Sequence, residues 1–357
     1  MPAERSEPRA LTIDKFRPRC MSIVPETRVV KARYPAIDAH NHFSDDMDVH
    51  RVVANMDSCN VRTYIDLSGG SGDRLKRRLE LLKDNYPDRF AVFYVPDFER
   101  VNEPDFAENV ARELEEAVRA GAQGLKIYKE LGLSVRAANG KLLAVDDERL
   151  DPMWQAAGEL GVPVMIHVAD PFAFFEPLDE TNERYVQLML HPDWHFYGKD
   201  YPPLRQLLAQ RDRLLERHPK TIFIGAHIGS ESEDLARAGE VLDRYPNYYV
   251  DISARQAELG RKPRNTRQFF LKYQDRILFG TDAHDHPEMY RSYFRFLETD
   301  DECLEYYMYP RHGFFHIYGI DLPDEVLWKI YVANAAKVIP GLSVPREPES
   351  AVSGRSQ

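Results

Sequence analysis

From residue 35 onward the chain repeats one pattern: a short apolar run rich in β-branched and aromatic residues, then a longer charged segment. The runs are PAIDAHNH (35–42), VRTYIDLS (61–68), FAVFYVPD (90–97), GLKIYK (124–129), VPVMIHVAD (162–170), TIFIGAHIG (221–229), YYVDISA (248–254) and ILFGTDAH (277–284). Runs of this kind read as strands, and the amphipathic segments between them as helices. In DFAENVARELEEAVRAGA, Val110, Leu114, Ala117 and Val118 form one stripe. DDERLDPMWQAAGELGV opens on cap-forming aspartates and stops at Gly161. LPDEVLWKIYVANAAKVIPG carries Pro323 near its start and a stripe through Leu327, Ile330, Tyr331 and Val338. Eight strand–helix units predict an α/β fold, a (β/α)8 TIM barrel. The rival, an open doubly wound sheet, would carry a glycine-rich phosphate loop after its first strand, where this chain has HNHFSDD.

The segments after strand 5 (171–203) and after strand 8 (285–322) are long, and long loops in barrels wall pockets. Residues 1–34 read as an extended N-terminal arm, 35–340 as the barrel and 341–357 as a disordered tail. With 43% hydrophobic and 29% charged residues the chain has an ordered, globular composition. Its formal net charge of −11 argues against nucleic acid as a partner. No run approaches the length of a bilayer-spanning helix, and MPAERSEPRALTIDKFRPRC has no apolar signal core. No membrane partner and a cytoplasmic location are therefore expected. Cys20, Cys59 and Cys303 lie far apart and read as three unrelated thiols in a reducing compartment. Any metal must then be held by histidine and carboxylate.

Strand side chains alternate, so residues two apart share a face with Cα atoms about 6–7 Å apart. Asp38, His40 and His42 therefore point one way, and two imidazoles at that spacing can close on one ion. In the fifth run His167 falls opposite the face of Val164, Ile166 and Val168, and in the sixth His227 falls opposite that of Ile222, Ile224 and Ile228. In the eighth, Asp282 shares the face of Leu278 and Gly280. His40, His42, His167, His227 and Asp282 all sit late in their runs, at the barrel end where active sites assemble. Lys126 and Tyr128 share a face of the fourth run; a lysine pointing into a barrel needs a carboxylate such as Asp38, or an anionic substrate. Arg255, just past the seventh run, is placed either for a substrate carboxylate or for an ordinary ion pair. Trp194, Tyr197 and His284 are further candidates for substrate contact from the long loops.

IDAHNH, GVPVMIHVAD, IGAHIGS, ILFGTDA and YVANAAKVI together resemble the amidohydrolase superfamily, in its amidohydrolase-2 branch, across roughly 35–340. That branch includes metal-dependent decarboxylases of the aminocarboxymuconate-semialdehyde type, as well as lactonases. The resemblance implies metal ligands His40, His42, His167 and Asp282, with His227 as a catalytic neighbour or, in two-metal relatives, a ligand of a second ion. It also implies one divalent ion, zinc first with manganese or iron as alternatives, and a carboxylated Lys126 only in the two-metal case. A bound ion would bring the pKa of its water towards about 7. Asp282 would then move the proton, and His227 would hydrogen-bond the oxygen that gains charge. The leading expectation is a hydrolase acting on a small polar lactone, ester or amide, with a carboxylate-bearing substrate allowed. A non-oxidative decarboxylase or other lyase is the alternative, and a non-catalytic binding barrel the third. A homodimer embraced by the arm is compatible with the sequence.

Overall fold

Each of the eight apolar runs contains a parallel strand. The computed structural model describes residues 11–282 and 286–344. The strands are β1 (Ala36–Asn41), β2 (Val61–Asp66), β3 (Phe90–Val92), β4 (Leu125–Ile127), β5 (Val164–Ile166), β6 (Phe223–Gly225), β7 (Tyr248–Asp251) and β8 (Ile277–Leu278). They pair in chain order within two arcs, β1–β3 and β4–β8. Backbone hydrogen bonds close both seams. Tyr94 N donates to Gly124 O (2.9 Å) and Lys126 N to Tyr94 O (2.8 Å). Across β8 and β1, Ala39 N donates to Phe279 O (2.9 Å) and Asp282 N to His40 O (2.8 Å). The fold is a (β/α)8 barrel.

Helices cover the barrel where the apolar stripes require it. Phe106–Ala120 buries Val110, Leu114 and Ala117 and ends at Gly121, whose φ of +113° favours glycine. Asp151–Glu159 follows a short turn capped by the Asp147 side chain and buries Met153, Trp154 and Ala157. The region expected as one long loop after strand 8 instead contains a helix, Pro287–Glu298, which buries Tyr290, Tyr293, Phe294 and Leu297. Its apolar spacing is helical, and Pro287 at the first turn starts it. Residues 299–323 that follow are the true loop.

The arm segment 11–34 is mostly exposed and touches the barrel at discrete points. Asp301 accepts from Thr27 N and Thr27 Oγ1 (both 2.7 Å). Tyr309 Oη donates to Pro18 O (2.9 Å), and Phe16 packs edge-on against Phe314. The cysteines are free thiols, and Cys20 and Cys303 lie near enough to perturb one another's ionisation, because the arm folds back over the 299–323 loop. Cys59 alone is buried in the core.

The backbone is strained at one end of the barrel. Ala169 (φ +131°), His227 (+61°), Ala254 (+51°) and Asp282 (+59°) all hold left-handed or related conformations just past β5, β6, β7 and β8. Such residues cost roughly 1–3 kcal/mol each and persist where surrounding contacts fix them. The four mark the C-terminal mouth.

Candidate metal centre

The first strand brings two imidazoles to that mouth. His40 is 1% exposed, and its Nδ1 lies 2.8 Å from Asp251 Oδ2. A carboxylate only accepts, so Nδ1 carries the proton and Nε2 keeps its lone pair. His42 Nδ1 lies 2.8 Å from Ser68 Oγ, with Tyr128 Oη 3.1 Å from that hydroxyl. His42 Nε2 faces Asp282 Oδ1 at 3.5 Å. His40, His42 and Asp282 offer one ligand atom each, all within 4.8 Å of one another. His167 stands beside them, its ring centroid 4.5 Å from that of His227, which in turn is 4.7 Å from His40. Burial lowers the His167 pKa to about 4, so the ring is neutral at pH 7; its buried Nε2 lies 3.4 Å from Asp170 Oδ1 and forms no well-aligned hydrogen bond among the described residues. A neutral imidazole nitrogen held by no well-formed hydrogen bond, beside a His–His–Asp cluster, fits a divalent cation.

His227 differs from its expected placement. β6 ends at Gly225, and residues 227–230 turn away in a left-handed run, so strand alternation does not govern this side chain. Its backbone N donates to Asp251 Oδ1 (3.0 Å), and its Nδ1 donates to Ser253 O (2.8 Å), since a carbonyl only accepts. Burial, then the Arg255 charge, hold its pKa well below the usual range. The ring is therefore neutral with the lone pair on Nε2. It cannot stabilise a developing oxyanion by donation, as expected from the resemblance; it accepts.

Asp251, at the end of β7, is the residue that sequence reasoning missed. Besides His40 and His227 N it accepts from Ser253 N (2.9 Å) and Ser253 Oγ (2.5 Å). Burial alone would raise its pKa; the His40 ring and these hydrogen bonds outweigh burial and hold it at about 2. Its signal in the sequence was an acid at the C-terminal end of a barrel strand. Gly280 leaves the room this cluster needs, because a Cβ there would sit 3.1 Å from His40 Cβ and 3.5 Å from Asp251 Cβ.

Asp38 does not pair with Lys126. It binds across the β8–β1 seam instead, accepting from Thr281 N (3.0 Å), Thr281 Oγ1 (2.6 Å) and Asn41 Nδ2 (2.5 Å). Burial nonetheless raises its pKa to about 6. Lys126 Nζ is wholly buried, lies 5.2 Å from the Tyr128 ring centroid and has no hydrogen bond among the described residues. Burial lowers its pKa to about 8, although Asp251 and Asp282 pull the other way.

A cavity of about 910 Å³ opens above these residues, lined at its base by His40, His42, His167, His227 and Asp282. Arg255 lines it too, 5% exposed, with no hydrogen bond from its Nε or Nη2 among the described residues. It is no surface ion pair: Nη2 reaches only to 4.0 Å from Asp170 Oδ1. Asp170 takes Lys129 Nζ at 2.5 Å; burial would raise its pKa, but His167, Lys129 and Arg255 hold it at about 2. Trp194, Phe174 and Tyr307 supply aromatic wall, and Arg184, Arg311 and His312 further positive or polar lining. Tyr197 is 52% exposed, stacks on His195 and lies outside this lining. Lys126 also lies outside the lining, and His284 lies outside the described residues.

A family model described as Amidohydrolase, of the amidohydrolase-2 type, matches residues 37–341. The chain belongs to the amidohydrolase-2 family. No curated protein matches the sequence. Among solved structures, it is similar to 2,6-dihydroxybenzoate decarboxylase from Rhizobium, at 18% identity and a TM-score of 0.54, covering 85% of this chain and 98% of that one. A dihydroxybenzoic acid decarboxylase from Polaromonas sp. JS666, with bound manganese and the inhibitor 2-nitroresorcinol, matches at 18% identity and a TM-score of 0.52, covering 82% and 86%. An uncharacterized TIM-barrel protein from Bordetella bronchiseptica matches at 16% identity and 0.52, covering 82% of each chain. At these identities the likeness shows the fold. Amidohydrolase-2 members are metal-dependent enzymes, and no helix among the described residues of this one is long and apolar enough to cross a membrane.

Proposed function

We propose that this amidohydrolase-2 enzyme is a non-oxidative decarboxylase of a small, flat, carboxylate-bearing substrate. The observation that carries the reading is Arg255: a buried guanidinium whose Nε and Nη2 make no hydrogen bond among the described residues, with Asp170 Oδ1 only at 4.0 Å, lining the same cavity as the His–His–Asp cluster. A buried, unsatisfied guanidinium is costly, and a carboxylate or phenolate offers it the fork-shaped partner it lacks. Lys129 adds positive charge beside Trp194, whose ring centroid lies 5.3 Å from Nζ. The aromatic wall suits a planar ligand.

His40, His42, His167 and Asp282 would hold one divalent cation, which histidine and carboxylate together offer to zinc, manganese or iron. When bound, that ion supplies a Lewis acid that orients a carboxylate and an adjacent oxygen. The chain's own groups do the rest. Arg255 fixes the anionic end of the substrate. His227, neutral and with its lone pair on Nε2, accepts a hydrogen bond from a substrate hydroxyl and so orients it. Asp282, once it has taken a proton from solvent, delivers it to the carbon from which carbon dioxide departs, so that a C–H bond replaces the broken C–C bond. Loop aromatics exclude water from that carbon.

The hydrolase reading uses the same Asp282 as a proton carrier for water. Product analysis separates the two. The manganese-loaded protein would be given a panel of hydroxybenzoates in one series and lactones and esters in another. Carbon dioxide release, with deuterium from heavy water appearing on the ring carbon, is the expected result. Lactone or ester cleavage with no carbon dioxide from any carboxylate would overturn it.

A further inference from the structure

We propose that Cys20 and Cys303 form a reversible disulfide that fastens the N-terminal arm to the loop walling the cavity. The two residues are 283 positions apart in the sequence, yet the arm's contacts with Tyr309 and Asp301 bring them together, and each thiol perturbs the other's ionisation. The approach is held on both sides. Pro18 O, two residues before Cys20, accepts from Tyr309 Oη at 2.9 Å. Thr27, seven residues after it, is anchored to Asp301 at 2.7 Å, two residues before Cys303. Leu304 and Ile317 exchange backbone hydrogen bonds of 2.9 Å, so the loop carrying Cys303 is itself pinned. Both cysteines are partly exposed, whereas Cys59 is buried and has no thiol partner among the described residues. A pair of accessible, facing thiols is what oxidation needs.

The two thiols are not equivalent. Hydrogen bonds from Ser22 hold Cys20 below the usual thiol range, while burial and the Cys20 contact push Cys303 up. Cys20 is therefore the attacking sulfur, and the oxidant class is a peroxide. The Cys20 thiolate attacks one peroxide oxygen; the O–O bond breaks, a water leaves after taking a proton, and a sulfenic acid remains. Cys303 sulfur then attacks Cys20 sulfur. The S–S bond forms as the S–O bond breaks, and the hydroxyl departs as a second water with the Cys303 proton. Two thiols are oxidised and one peroxide is reduced to two waters. In a reducing compartment such a bond is transient and signals a change of redox state. Its structural effect is specific: Tyr307, Met308, Tyr309, Arg311 and His312 of the same loop line the cavity, so oxidation ties the arm to that wall.

The test uses the full-length reduced protein, treated with hydrogen peroxide, blocked with iodoacetamide and digested with trypsin without reductant. A cross-linked peptide joining Cys20 to Cys303, lost on adding dithiothreitol and absent from Cys303→Ser, is expected as the main oxidised product. Cleavage at the exposed Arg28 should release the arm on a gel only after reduction. In Cys303→Ser, Cys20 should stop at sulfenic or sulfinic acid, and the arm should be released without reductant. Oxidation of the wild type to sulfinate, or to dimers between chains, with no internal cross-link would overturn the proposal. Cys20→Ser, on the exposed arm, provides the same comparison if Cys303→Ser folds poorly.

Discussion

Replacing Asp251 with Asn separates the metal-site reading from a merely structural one. The carboxylate makes four contacts that all use it as an acceptor: His40 Nδ1 on Oδ2, and His227 N, Ser253 N and Ser253 Oγ on Oδ1. An asparagine has one acceptor oxygen. If that oxygen replaces Oδ1, its NH2 faces the His40 N–H; if it replaces Oδ2, three donors lose their partner. In the first case His40 is driven towards the tautomer with its proton on Nε2, which leaves that nitrogen unable to bind a cation; in the second His40 keeps its acceptor, but the turn that holds His227 and Ser253 loses its anchor. Loss of such a supporting contact typically costs about 10–100-fold in metal affinity, or about 1.4–2.7 kcal/mol. A stability cost accompanies it. The carboxyl pKa falls from its usual 3.8 to about 2 in the folded chain, which corresponds to roughly 2–3 kcal/mol. Because the folded value is depressed, this stabilisation is present above about pH 4 and is lost as the pH falls through 2. Titration of the metal-free protein with manganese, and thermal melts of the metal-free protein at pH 7 and pH 3, read the two effects separately. Equal manganese affinity in Asp251→Asn would refute the role given to His40. An equal melting temperature at pH 7 would refute the stability argument.

Asp282→Asn should lower turnover by about 10²–10⁴, with metal content measured alongside so that lost binding is distinguished from lost proton transfer. Arg255→Met should raise KM for a carboxylate substrate by about 10–100-fold, as expected for losing a charge-assisted pair, and Arg255→Lys should recover only part of it. An unchanged KM in the steady-state assay removes Arg255 from the substrate site. Lys126→Met addresses a buried amine with no hydrogen bond. The folded pKa of about 8 lies below the usual 10.5, so the wild type gains stability as pH rises from 8 to 10.5, by roughly 3 kcal/mol. The variant lacks that rise; parallel melting curves for the two proteins across this range would show that the amine is not buried as described.

Much of the architecture was legible in the chain because it depends on local periodicity. Eight apolar runs separated by amphipathic segments leave few alternatives to a parallel sheet wrapped in helices, and HNH on the first strand places two imidazoles at one mouth whatever surrounds them. His167 and Asp282 were found the same way, as polar residues late in otherwise apolar runs. What depends on contacts between distant segments could not be read. Asp251 is one acid among 58 acidic residues until the barrel brings β7 to face β1, where it becomes the acceptor that sets the His40 tautomer and holds the His227 amide. Asp38 looked available to Lys126 because alternation reports the face of a strand and not the partner across a barrel seam. His227 escaped strand parity because its backbone turns left-handed, a conformation fixed by the tertiary hydrogen bonds of its own amide. The pairing of Cys20 with Cys303 follows from how the arm is laid down, which no spacing encodes. The sequence determines which groups are available for chemistry at the mouth. Only the packed barrel decides which nitrogen of each ring is bare, which charges are left unpaired, and which thiols meet, because those depend on groups hundreds of residues apart sharing a few ångströms of dry space.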